Sequence, residues 1–215
     1  MSSDIAGIVG AVTRKVVGLE HNGRPAHAVL ASRSYDTTIE DVWDALTNAE
    51  RIPRWFLPVT GDLHLGGRYQ LQGNAGGEIT RCEPPRHLAL TWEYGGGVSW
   101  VTVTLAEQAR GTRLDLEHIV PVDGHWEQFG PGAVGVGWDM ALMGLARHLA
   151  SGVAIDPQKA MAWLGSADGK AFVHASSDDW CRAAIASGAD EAVAKASAQR
   201  TLAAYTGAPV PAKDG

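Results

Sequence analysis

Two cysteines in 215 residues, Cys82 and Cys181, are too few for a disulfide framework or a cysteine-built metal site. A reducing cytoplasm is therefore the expected setting. A basic surplus is missing as well. The net charge is −6, whereas a nucleic-acid binder needs a lysine- and arginine-rich stripe to displace counterions. Long apolar runs are also lacking. The run at 5–12 is too short to span a bilayer and no basic residue precedes it, so neither a membrane anchor nor a signal peptide is expected. His64, His125 and His148 share no metal-ligand spacing with acids or cysteines. Gly95-Gly96-Gly97 opens no helix and so makes no phosphate cradle. No metal, cofactor, nucleic-acid partner or membrane partner is expected.

What the chain has in quantity is apolar surface. Hydrophobic residues make up 45% and charged residues 20%, enough for a real core, and eight tryptophans are the outlier. The organising stretch is 132–150. Val134, Trp138, Ala141, Leu142, Leu145 and Leu149 recur at three- and four-residue steps and line one face of a helix. Its other side carries Val136, Met140, Met143 and Gly144, leaving only Asp139, Arg147 and His148 for water. A helix apolar nearly all round is covered on more than one side.

Before this helix the pattern reads as β-sheet. Runs at 8–19 and 26–35 flank Asn22-Gly23 and predict a hairpin. Thr37-Thr38 followed by Glu40 and Asp41 caps a helix with Ile39, Val42, Trp43 and Leu46 on its buried stripe. A second short helix is expected from Asn48, with Pro53 in its first turn and Trp55, Phe56 and Leu57 before Pro58 stops it. Strands are then expected at 68–72, 78–82, 87–94, 98–107 and 112–119, as an antiparallel meander. Alternation places Leu88, Leu90, Trp92 and Tyr94 on one side, joined by Val101, Val103 and Leu105, then Leu114, Leu116 and His118.

After Gly152 the chain turns alanine-rich. Helices are expected at 157–165, 168–187 and 190–205, with Phe172, Val173, Trp180, Ala184 and Ile185 as an apolar side. The organisation expected is a domain over 1–152, a helical extension over 153–208 packing on it or on a second subunit, and a frayed tail at 209–215. Trp138, Leu142, Leu145 and Leu149 are assigned to the sheet, and Met140, Met143 and Gly144 to the extension.

Several stretches, in this order, resemble one family. They are Thr37-Thr38-Ile39-Glu40-Asp41-Val42-Trp43-Asp44-Ala45-Leu46-Thr47, Arg51-Ile52-Pro53-Arg54-Trp55-Phe56 and Gly66-Gly67-Arg68-Tyr69. Cys82-Glu83-Pro84-Pro85-Arg86-His87-Leu88-Ala89-Leu90-Thr91-Trp92 and Gly111-Thr112-Arg113-Leu114 follow. Over roughly 25–150 the chain resembles the START-like, helix-grip superfamily SRPBCC, in the branch named after the activator of heat-shock protein 90 ATPase. The resemblance implies an α+β helix-grip fold, a curved antiparallel sheet wrapped around a long C-terminal helix. It also implies a cavity that takes small apolar molecules. Bacterial members of the branch often carry a helical extension, and the branch has no family-wide catalytic motif.

The candidate ligand-binding residues are Trp55, Phe56, Tyr69, Leu90, Trp92, Val103, Leu116, His118, Trp138 and Leu142. They pair large aromatics with the inward strand positions, as an apolar pocket does. His118 stands at the end of that series and is the one weak candidate for acid–base catalysis or ligand orientation. Three readings are weighed. The first is binding of an apolar or aromatic small molecule. The second is an enzyme with cyclase- or dehydratase-like proton transfer and no metal. The third is a chaperone-related or dimerising module, with a homodimer formed through the helical extension.

Overall fold

The computed structural model describes residues 4–212. In chain order its elements are α1 (Ile5–Gly10), β1 (Thr13–His21), β2 (Arg24–Tyr35), α2 (Ile39–Thr47), a single 3-10 turn (Ile52–Arg54), β3 (Val59–Gly61), β4 (Arg68–Leu71), β5 (Gly76–Glu83), β6 (His87–Tyr94), β7 (Gly97–Glu107) and β8 (Thr112–Pro121). Five helices follow: α3 (Gly124–Phe129), α4 (Gly132–Ser151), α5 (Pro157–Gly165), α6 (Ala167–Ala186) and α7 (Glu191–Thr206). The strands form one sheet in the order β1-β2-β8-β7-β6-β5-β4-β3, and the whole is an α+β fold of the helix-grip type. The chain falls into two compact units. One holds the residues up to Ala31, Pro121–Met140 and those from Asp156 on; the other holds Ser32–Val120 and Ala141–Ile155.

In the first unit, Asn22 and Gly23 turn the β1–β2 hairpin with φ of 52° and 73°. A two-residue turn needs both in the left-handed region to match the strands' twist. The tail helices belong to this unit, with α6 packing on α1 and β1, α5 and α7 on α6, and α3 on α7. Asp156, Ser166 and Asp190 cap α5, α6 and α7 with side-chain oxygens, and Gly207 closes α7 at φ 70°.

Glycines on α4 let the tail approach. A Cβ at Gly135 would collide with the Trp180 indole, one at Gly132 with the Thr201 side chain, and the Tyr205 hydroxyl lies over Gly137. Beneath them lies a buried polar network. Asp139 is 1% exposed, and its Oδ2 accepts from Arg14 Nε at 2.9 Å, Ser176 Oγ at 2.5 Å and Trp180 Nε1 at 3.1 Å. Arg14 also donates to Asp179 Oδ2 at 2.8 Å and to the carbonyls of Val9 and Val12. Burial pushes the Asp139 carboxyl upward, against the pull of the Arg14 charge and the hydroxyl and indole donors. The network is therefore a paired and hydrogen-bonded buried charge, the form in which a charge is tolerated inside a protein.

The second unit contains the meander. Strands β3 to β8 pair antiparallel in sequence, with Leu88 opposite Val103 and Val103 opposite Leu116. Thr38 caps α2 by accepting from the Asp41 amide, as its spacing implied. Arg51 then ties α2 to the 3-10 turn through Asp41 at 2.8 Å and Asp44 at 2.9 Å.

Several sequence expectations need correction. Residues 8–10 are helical, so the first strand starts at Thr13. The second short helix is only the 3-10 turn at Ile52–Arg54, because Pro53 and the nearby Pro58 leave no room for a longer one. The short strand β3 was not anticipated. Asp139 and His148 are buried rather than wet, His148 being 3% exposed beside Arg51. Gly144 faces the Trp55 carbonyl and Ile155, so the tail sits on the Gly132, Gly135 and Gly137 side instead. Tyr94 shares the parity of Leu88 and Leu90 but is 65% exposed, because it stands at the turn of the β6–β7 hairpin, beside Gly95-Gly96.

Candidate functional site

The apolar face of the meander is built by alternation. Val101, Val103 and Leu105 on β7 and Leu114, Leu116 and His118 on β8 are all buried, while Thr104 and Arg113 between them are exposed. Towards β4 the same face carries a cluster of Tyr69, Leu71, Ile79 and Leu88. Trp43, Phe56, Leu57, Leu63, Leu90 and Trp92 pack on it without being fully buried.

Of the residues selected from sequence, Phe56, Tyr69, Leu90 and Trp92 meet in this cluster. Trp55 stacks on Phe56 with centroids 5.3 Å apart, but its indole N–H donates to the Ala45 carbonyl at 2.8 Å, which holds it in the packing of α2. The Tyr69 hydroxyl donates to the Thr91 carbonyl at 2.8 Å. Val103 and Leu116 are buried across from each other, and Leu142 is buried where its carbonyl accepts from the Tyr35 hydroxyl at 3.3 Å. Trp138 is half-buried and lies in the first unit, whereas the others lie in the second.

His118 is 2% exposed, its ring 6.0 Å from that of Trp92 at 61°, an edge contact. Its Nε2 lies 2.8 Å from Ser99 Oγ, and the Ser99 hydroxyl donates to the Trp92 carbonyl at 3.1 Å. Burial pushes the imidazole down to about 3, which keeps it neutral at physiological pH. A neutral ring paired with a serine is equipped to orient a polar group. It has little basicity for proton abstraction near pH 7.

Ser99 was missed in the sequence reading, although its parity with Val101, Val103 and Leu105 places it on the apolar face. Arg14 and Asp139 were missed as well, and only the burial of their partners reveals them.

On the polar face a groove of about 300 Å³ runs past Thr60, Arg68, Gln70, Gly76 and Glu93. The Arg68–Glu93 ion pair at 2.7 Å spans two of its lining residues. Among the described residues no group of three or more His, Cys, Asp and Glu could hold a metal ion, and no helix is long and apolar enough to cross a membrane.

With this geometry in place, comparison with known proteins gives a family. Residues 36–150 match the model for activator of Hsp90 ATPase homolog 1-like proteins. The chain belongs to this family. CalU16 from Micromonospora echinospora is similar over 83% of this chain and 99% of its own length, with 34% identity and a TM-score of 0.65 to its crystal structure. Its solution NMR structure gives 32% identity, a TM-score of 0.68 and coverage of 83% and 97%. The likeness to CalU16 thus extends beyond the residues that match the family model. The crystal structure of DynU16, described as a protein in the dynemicin biosynthetic locus, shares the fold at 24% identity and TM-score 0.52. That match covers 59% of this chain and 48% of DynU16. No curated protein matches the chain.

Proposed function

We propose that this family member binds a small apolar or aromatic molecule against the aromatic wall formed by Phe56, Leu90 and Trp92. One observation carries the reading: beside β7 and β8 positions that are buried from Val101 to Leu105 and from Leu114 to His118, the large side chains of Phe56, Leu90 and Trp92 remain only partly covered. Partly covered tryptophan and phenylalanine beside the polar His118–Ser99 pair is the composition of a ligand wall, apolar over most of its area with a few placed polar groups. A filled core would bury these rings as completely as Leu105 and Leu114. Catalysis with His118 as acid–base draws less support, because burial pushes its imidazole down to about 3, far from the basicity a proton acceptor needs near pH 7.

The test is native mass spectrometry of gently purified full-length protein, followed by tryptophan-fluorescence titration with a panel of polyketide, sterol and polycyclic aromatic compounds. Binding that weakens at least tenfold in Trp92→Ala is expected. If no compound co-purifies or binds, or if Trp92→Ala and Leu90→Ala leave the affinity unchanged, the reading fails.

A further inference from the structure

We infer that Ser197 and Arg200 on α7 form an oxyanion-binding site, one that takes a phosphate or a carboxylate group. It is independent of the aromatic wall: both residues lie in the first unit, whereas Phe56, Leu90 and Trp92 lie in the second.

Arg200 is 4% exposed, and an arginine keeps its charge inside a protein. Its Nε donates to the Gln128 carbonyl at 2.6 Å and its Nη2 to Ser197 Oγ at 3.2 Å. Thr201 adds a bond to the Phe129 carbonyl at 3.0 Å, so α7 clamps the last turn of α3. The clamp accounts for the position of the side chain but not for its charge. Both partners of Arg200 are neutral, and no carboxylate among the described residues forms an ion pair with it. With six residues, α3 is too short for its carbonyl end to supply a full counter-charge. Arg14, whose side chain is similarly buried, has two carboxylates, Asp139 and Asp179. The acids that open α7 are engaged elsewhere, Asp190 as its cap and Glu191 with Lys195. A buried charge without a counter-charge is strongly unfavourable, and an anion is the group that relieves it.

The hydrogen-bond donors point to the same ligand class. A guanidinium carries five N–H donors, and the bonds to Gln128 and Ser197 leave the others, on Nη1 and Nη2, for a further acceptor. Ser197 is 5% exposed; its oxygen accepts from Arg200, while its own O–H meets no acceptor among the described residues. A spacing of three on α7 sets the hydroxyl and the guanidinium side by side. Adjacent donors, one of them charged, match an oxyanion, whose separate oxygens can each accept a bond while its charge is neutralised. Gly130, at φ 59°, approaches Ser197 as bare backbone: a Cβ there would stand 3.3 Å from the Ser197 Cβ and 3.8 Å from its Oγ. No side chain from that residue covers the hydroxyl.

The experiment titrates full-length protein by calorimetry at pH 7.5 with sodium phosphate and, separately, with sodium acetate, sodium chloride holding the ionic strength constant. Expected is saturable binding of at least one of the two with a Kd on the order of 1 mM or tighter, the strength that a few hydrogen bonds to a charged group supply. The tighter of the two names the source, a phosphorylated compound or a carboxylic acid. Ser197→Ala keeps the Arg200 bond to Gln128, so α3 stays clamped, and it should weaken binding by roughly fivefold, the worth of one net hydrogen bond. Arg200→Lys keeps the charge but loses the planar fork, and a loss of about tenfold is expected. Circular dichroism checks that both variants are folded. If neither anion binds beyond the chloride control, or if Ser197→Ala and Arg200→Lys both bind as the wild type does, the inference is overturned and Arg200 is a clamp alone.

Discussion

Acid should destabilise this protein through His118, and the size of the effect follows from its burial. In the unfolded chain the imidazole takes its ordinary value near 6.5, whereas in the fold it is pushed down to about 3. Between those values the unfolded state holds a proton that the native state refuses, so stability rises with pH there and falls on acidification. Each unit below 6.5 removes about 1.4 kcal/mol, so pH 5.0 costs about 2 kcal/mol relative to pH 7.5, and the loss levels off near 5 kcal/mol below pH 3. The assay is urea unfolding of wild type and His118→Gln at pH 7.5, 6.0 and 5.0. The glutamine amide can donate or accept and cannot titrate. Burial pushes His27 and His148 in the same direction, but they and the carboxylates are common to both proteins and cancel in the difference. The stability gap between the two proteins should therefore shift by about 2 kcal/mol in favour of the variant between pH 7.5 and 5.0. A gap that stays constant with pH would refute the claim that His118 is held neutral by burial.

Other consequences concern the first unit. Asp139→Ala leaves the Arg14 guanidinium, with 4% side-chain exposure, to Asp179 and the Val9 and Val12 carbonyls. A loss of about 3–5 kcal/mol by urea unfolding is expected, whereas Arg68→Ala at the exposed pair with Glu93 should leave the urea midpoint unchanged. Gly135→Ala gains about 1 kcal/mol of helix propensity but drives a methyl into the Trp180 ring, at a cost of about 1–3 kcal/mol or more, so a lower melting temperature is expected. Truncation after Gly152 removes Trp180, Ser176 and Thr201 from their seats on α4. The shortened chain should show no cooperative thermal transition by circular dichroism, and a cooperative melt would show that the tail is dispensable.

Where a local rule decided the structure, the sequence was readable. The alternation through β6, β7 and β8 placed Val101, Val103, Leu114, Leu116 and His118 on one face, because a one-residue slip would expose the whole set. Thr38, Asp156 and Asp190 announced their helices by offering an oxygen to amides that lack a partner. Asp139 could not be read in this way. An aspartate on a helix is most simply solvated, and its partner Arg14 is 125 residues distant, on a strand whose neighbours give no hint of burial. Ser99 was readable by parity yet passed over, since a serine on an apolar face signals nothing until the histidine bonded to it is known. Within the site, Phe56, Tyr69, Leu90 and Trp92 were found together because the meander's register and α2 place them so, while Trp55 turned out to be held by the Ala45 carbonyl.

The three glycines in the first half of α4 also bear on the order in which the chain is made. Each weakens the helix by about 1 kcal/mol relative to alanine, so that half has little reason to be helical until Trp180, Thr201 and Tyr205 arrive to cover it. On the ribosome, Asp179 follows its partner Arg14 by 165 residues. The β1–β2 hairpin therefore waits for α6 and α7 before its unit can close. That closure is a long-range search, the kind of step that makes folding slow.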